Sequence, residues 1–260
     1  MMGALYSAAS GMKAQQLNID VISNNLANVN TGGFKKSRAE FQDLLYRTIA
    51  EAGVPVSGGS NTPVGTQVGT GTRSIAISKI FSQGDFNQTD NPLDLTIEND
   101  GFFIVQMPDG TQSYTRDGAL KIDRTGQIVT AEGYPLVPNI TIPPGVVRPN
   151  VSPEGIITAT VAGVNTTLGQ LQLVRFLNPS GLSAVGHNLF KITNASGDPI
   201  QGLPGIDGMG SVMQGYLEGS NVRVVDEMVN LIVAQRAYEA NSKSIQTSDD
   251  MLSQANTLKR

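Results

Sequence analysis

The stretch LYSAASGMKAQQLNIDVISNNLANV, residues 5–29, sets Leu5, Ala8, Met12, Gln15, Ile19, Ile22, Leu26 and Val29 at alternating spacings of three and four. That rhythm is a heptad seam with one polar member, Gln15, and it predicts a helix from about Gly3 to Val29. No proline interrupts it, and Gly11 costs roughly 1 kcal/mol relative to alanine. Asn28, Asn30, Thr31, Gly32 and Gly33 then stop it. The same rhythm returns in LIVAQRAYEANSKSIQTSDDMLSQA, residues 231–255, at Leu231, Ala234, Tyr238, Asn241, Ile245, Ser248, Leu252 and Ala255. This second helix is predicted to start near Ser220 and Asn221, either of which can cap it. Asp226 and Glu227 fall in its early turns and Lys259 and Arg260 at its far end, as the helix dipole prefers. Chain ends usually fray. Here they carry the most regular pattern in the chain, which points to a subunit whose ends make an assembly.

Between the seams the helical period is lost. Phe34 to Ile49 mixes basic residues with Phe41, Leu44, Leu45 and Ile49, a pattern compatible with a short amphipathic helix or an extended arm. Glu51 to Val68 is rich in Gly, Ser, Pro, Thr and Val and reads as a long loop. From Thr72 to about Val212 strand signals accumulate. Ile75, Ile77 and Ile80 fall near alternation, and Leu93 to Ile97 alternates cleanly. Gly101 to Met107 runs into Pro108-Asp109-Gly110, a strong turn, and Tyr114-Thr115-Arg116 ends at Asp117-Gly118. Further strands are predicted at 120–123, 127–130, 155–161, 170–177 and 188–193. The fold class is therefore α+β: long coiled-coil-like N- and C-terminal helices flanking a central, mainly-β domain, read as a barrel or sandwich of hairpins.

Composition excludes several function classes. The 260 residues carry a net charge of -4, so no basic field exists to hold nucleic acid. No cysteine is present, which removes disulfides, zinc thiolates and thiol nucleophiles. No apolar run approaches the ~20 residues that span a bilayer, and Met1 to Gly11 lacks the pattern of a secretory signal. A Ser-His-Asp triad would need His187, the one histidine, and no Gly-x-Ser-x-Gly elbow supplies its serine. Asp85, Asp90, Asp94 and Asp100 crowd one stretch, but the offsets of a calcium loop are missing, so they read as turn residues. Gly69-Thr70-Gly71-Thr72-Arg73 lacks the Gly-Lys-Ser/Thr ending of a phosphate loop. No cofactor or metal is expected. A heptad stripe commonly packs on its own domain. Here Ala9 and Val21, and Val225, Met228, Val229 and Ile232, widen both stripes beyond a seam, which suits several helix neighbours in a bundle.

The segment Asn24-Asn25-Leu26-Ala27-Asn28-Val29-Asn30-Thr31-Gly32-Gly33-Phe34-Lys35 resembles the signature of the bacterial flagellar rod and hook family. Tyr114 to Gly118, Gln214 to Val222 and Glu227 to Lys243 resemble three further motifs of that family, so the likeness spans the chain. The length, and an insertion-like stretch from Tyr46 to Pro63, resemble the rod branch; a hook protein carries a larger outer domain. The resemblance implies a non-enzymatic structural subunit exported by the flagellar type III apparatus. It implies helical polymerisation with copies of itself, adjoining proximal rod and hook-side subunits, and passage through the outer bushing rings in the periplasm. Residues 1–30 and 222–260 would form an inner helical domain, 31–71 and 213–221 a connecting region, and 72–212 an outer β domain. The self-assembly interface would use Leu5, Met12, Ile19, Ile22, Leu26, Val29, Leu231, Tyr238, Ile245 and Leu252. Family-motif residues are Asn24, Asn25, Leu26, Ala27, Asn28, Thr31, Gly33 and Phe34. Tyr46, Ile49, Val54, Pro55, Val56 and Pro63 would anchor and stiffen a rod-rigidity segment. Two alternatives stay open: another flagellar axial subunit, or a secreted β-domain enzyme with helical dimerisation ends.

Overall fold

The computed structural model describes residues 2–53, 55–56, 60–61, 63–146, 148–161 and 164–257. Two compact units divide the chain. The first takes the residues up to Leu26, Ser37–Ser78 and those from Val224 on; the second takes Ala27–Lys36 and Lys79–Arg223.

In the first unit, helix α1 runs Met2–Ala27 and helix α2 runs Val224–Thr257. Asp226 and Glu227 lie in the first turn of α2; Lys259 and Arg260 lie outside the described residues. The helix starts later than the sequence predicts because Asn221 is committed elsewhere, as shown below. A Cβ on Gly11 would sit 2.9 Å from the Asn241 amide nitrogen, and Asn25 donates to Glu227 at 3.3 Å. Moving forward on α1 from Gly11 to Asn25 moves back by the same count on α2, from Asn241 to Glu227. The helices are therefore an antiparallel pair, and the lack of a side chain at Gly11 lets them approach there.

The rest of this unit is a β-ribbon. Strand Ser37–Asp43 pairs with Thr72–Lys79, Tyr46–Ala50 with Thr66–Gly69, and Pro55–Val56 with Ser60–Asn61. An extended arm, not a helix, thus follows Lys36, and the stretch read as a loop after Glu51 contains paired strands. Gly, Ser and Pro hid them, while Thr48, Thr66 and Val68 supply the β-branched pairing residues. α1 grips both legs of the ribbon. The Asn25 side chain exchanges two 2.8 Å hydrogen bonds with the Ser37 backbone, and Ser10 Oγ accepts from the Thr72 N–H at 3.2 Å.

The second unit is built on a seven-stranded antiparallel sheet, ordered 183–186, 189–191, 112–115, 102–106, 173–175 and 200–202, with 136–137 also pairing with 102–106. Among the described residues the path is open, with no pairing that closes it into a barrel. Phe102–Gln106 is its central strand, and both faces are covered. Phe103 and Val105 join a core with Leu95, Leu171 and Leu173; Phe102 and Ile104 join Tyr114, Val174, Phe176 and Phe190 on the other side. Successive side chains point to opposite faces, which is why the run reads as continuously apolar. The turn after it forms as predicted, with Asp109 accepting from Thr111 and Gly110 at φ 81. Strands at 164–170, 200–202, 211–214 and 216–218 were not predicted. The first three carry Gly, Thr, Gln or Ser, the last is only three residues long, and each pairs in a short ladder or at an edge, too short to show a clear alternation.

Candidate self-assembly surfaces and a buried charge cluster

The predicted seam residues lie on the less exposed sides of both helices. Ala8, Ile22, Ala234 and Ser248 are buried; Leu5, Met12, Ile19, Leu26, Leu231, Ile245 and Leu252 are half-buried; Tyr238 is exposed. Val29 is half-buried beyond the end of α1. The more telling feature is the opposite side of α2. At about 100° per residue, Val225, Met228, Val229 and Ile232 share a face turned away from Glu227, Leu231 and Ala234. They are 72%, 51%, 54% and 51% exposed, beside Val233. A contiguous apolar stripe left in water marks an interaction surface. The ribbon is similarly bare: Leu45, Tyr46, Ile49, Val64 and Val68 are exposed, as is Pro63. Pro55 and Val56 form a short strand; Val54 lies outside the described residues.

The motif residues serve a different end. Asn25 is buried and holds the ribbon and Glu227 as described; Asn24 and Ala27 are exposed. Asn28 accepts from the Thr31 hydroxyl at 3.2 Å, closing the turn after α1. Gly33, at φ 67, donates to the Glu218 carbonyl at 2.8 Å, and a Cβ there would crowd the Asp117 backbone. Phe34 is buried under the Lys79 ammonium, 5.0 Å from its ring centroid.

Three motifs converge here on one carboxylate. Lys35 Nζ lies 2.6 Å from Glu218 Oε1 and donates to the Ser82 carbonyl at 2.8 Å. Arg116 Nη1 lies 3.6 Å from Glu218 Oε2, and its guanidinium donates to the Ile97 and Asn99 carbonyls. The Gly84 N–H also reaches Glu218 Oε1. All three side chains are almost wholly buried. Burial pushes the Lys35 ammonium below its ordinary range, against the opposing pull of Glu218. Beside this cluster, Asn221 accepts from the Lys36 N–H and donates to the Ile80 and Ser82 carbonyls, while Ile80 N–H donates to the Lys36 carbonyl. This is why Asn221 does not cap α2. In the sequence Asn221 reads as a helix cap, and Lys35, Arg116 and Glu218 carry no role. The available signal was a single charge in each of two otherwise neutral motifs, Lys35 in the first and Glu218 in the third.

The residues weighed for chemistry are dispersed. His187 is mostly exposed and pairs with Glu132 at a small cleft that also holds Asp117. Asp94 accepts from Asn91 in a turn. Among the described residues no cluster of three metal-ligating side chains forms, and no helix is long and apolar enough to cross a membrane. Burial, helped by Asp94 and Glu132, raises the Asp117 carboxyl above its usual range. The folded chain thus holds the proton there more tightly than the unfolded chain, and stability tied to it is lost as pH rises through the raised value. Asp117→Asn, which can still accept from Ala119 N–H, is expected to be more stable than the parent chain at neutral pH. The gain should shrink towards zero below about pH 4; urea melts across pH 3–7 measure it.

Family models match three separate parts of the chain. The flagella basal body rod protein model covers residues 5–35, the flagellar hook protein FlgE/F/G D1 domain covers 96–159, and the flagellar basal body rod FlgEFG protein C-terminal model covers 213–258. The flagellar basal-body rod protein FlgG of Borreliella burgdorferi is 53% identical over 264 residues, covering all of both chains. The chain belongs to the FlgG family of flagellar basal-body rod proteins. FlgG of Buchnera aphidicola subsp. Schizaphis graminum is 49% identical, covering 99% of this chain and 100% of the relative. FlgG of Bacillus subtilis is 41% identical with full coverage of both. The exposed α2 stripe and the bare ribbon are apolar surfaces left open to water, and the buried charges belong to the scaffold.

Proposed function

We propose that this chain is the distal-rod subunit of the flagellar basal body, polymerising helically into a straight, hollow shaft that passes torque from motor to hook. The observation that carries this is the apolar stripe of α2 left exposed on the face opposite its seam. A helix with two apolar faces needs neighbours beyond its own chain. Residues 1–30 and 222–260 serve as the inner tube, 31–71 and 213–221 as the connecting zone, and 72–212 as the outer β zone. The neighbours are copies of itself, proximal rod subunits, hook-side subunits and the outer bushing rings. The chain crosses into the periplasm through the type III apparatus, and its role there is structural.

A rod stays straight where a hook bends, and bending requires neighbouring subunits to slide. The ribbon strands 46–50 and 66–69 support a role in preventing that slide, because an isolated two-stranded hairpin is marginal in water and their residues are exposed. Tyr46 and Ile49 can anchor it, with Pro55 and Pro63 limiting its freedom. Removing residues 50–59 is expected to leave assembly intact and yield curved, hook-like polymers. Electron microscopy of isolated basal bodies checks it; straight, stiff rods would move rigidity to the inner tube.

A further inference from the structure

The first unit contains a groove of about 650 Å3 between α1 and the base of the ribbon, lined by Tyr6, Ala9, Ala14, Leu17 and Leu44. We propose that this groove seats the exposed α2 stripe, Val225 to Val233, of a second copy of the chain. The inference rests on the rod-subunit reading and names the two surfaces that meet. The stripe is uncovered in its own chain, so its occupant comes from outside. A concave groove does not complement itself, nor does a convex stripe. The two together make a heterologous contact, and repeating such a contact gives an open array. Their lengths agree. At 1.5 Å rise per residue, Tyr6 to Leu17 spans roughly 17 Å and Val225 to Val233 roughly 12 Å. Charge offers one pairing: Lys13 and Arg73 line the groove, and Asp226 is the exposed carboxylate that flanks the stripe, with Arg223 and Arg236 at its two ends.

The chain has no cysteine, so introduced thiols report alone. Cells would build rods from two versions of the chain, one with Ala9→Cys and one with Ile232→Cys, and isolated rods would be oxidised. Because each version holds one thiol, any covalent dimer joins two copies. The expected result is a dimer in mixed rods several-fold above that from Ala9→Cys mixed with Ser253→Cys, and none from either stripe or groove version alone. A second pair, Tyr6→Cys with Val229→Cys, is read the same way and guards against a version that does not assemble. Rods that form but link no better than the control overturn the groove pairing and leave the rod reading standing. Dimers from Ala9→Cys alone overturn it equally, by showing a symmetric contact. Absence of the unaltered chain from isolated rods overturns the rod reading itself.

Discussion

Ile22→Asp is expected to abolish polymerisation while leaving the second unit folded. Ile22 is 4% exposed in α1, on a helix that must hold both α2 and the ribbon. A carboxylate placed there has no cation assigned to meet it, and a buried unpaired charge costs several kcal/mol. That is a large part of what an antiparallel pair of helices contributes, since helices gain most of their stability from packing. Leu252→Asp should be milder in the free chain, because Leu252 is only half-buried near the end of α2 and the charge can turn to water. Asp198→Ala, in an exposed segment just after a turn, should do little. Sedimentation reads the polymer and hydrogen exchange at Phe103 and Ile104 reads the β core. Normal filaments from Ile22→Asp would remove the terminal helices from the assembly model.

Glu218→Ala is expected to cost about 3–5 kcal/mol, the usual penalty for breaking a buried ion pair. Lys35 would then lose its carboxylate, and Arg116 would keep only the attraction of Asp100, both cut off from water. Domains are stable by only about 5–15 kcal/mol, so the second unit should unfold at markedly lower denaturant. Glu218→Gln separates charge from shape: it can still accept from Gly84 but no longer neutralises either cation. It should recover only a small part of the loss. Replacing Lys35 and Glu218 together by methionine should recover more, because an apolar pair leaves fewer orphaned charges. Equal stability of Glu218→Ala and the parent chain in equilibrium denaturation would contradict this account of the cluster.

How much of this was legible beforehand follows from what each residue answers to. The helices were legible because a seam repeats locally, and α1 departs from its predicted span by one residue at its start and two at its end. The strand at Phe102–Gln106 was legible because its apolar run ends at a proline-glycine turn. The ribbon was not, because its strands are exposed on both sides and no alternation is imposed on Gly, Ser and Thr. The charge cluster was hidden for another reason. Lys35 and Glu218 are far apart in sequence, each looks like an ordinary surface charge, and only the folded backbone brings them together. Asn221 shows the same limit: a good cap by residue type, it is spent on two other chain segments.

The second unit is made of two stretches of chain, so it offers four ends by which it can be pulled. Three of them are lashed together. The end at Lys36 is tied to Asn221 and to Ile80, and its neighbour Lys35 to Glu218 and Ser82. A thread drawn from Lys36, from Lys79 or from Arg223 therefore meets the same knot, and several bonds must give at once instead of one after another. Seams that open stitch by stitch fail at low force; a knot loaded all together does not. For a part that works under continuous rotation, that difference sets how hard it can be driven before it unravels.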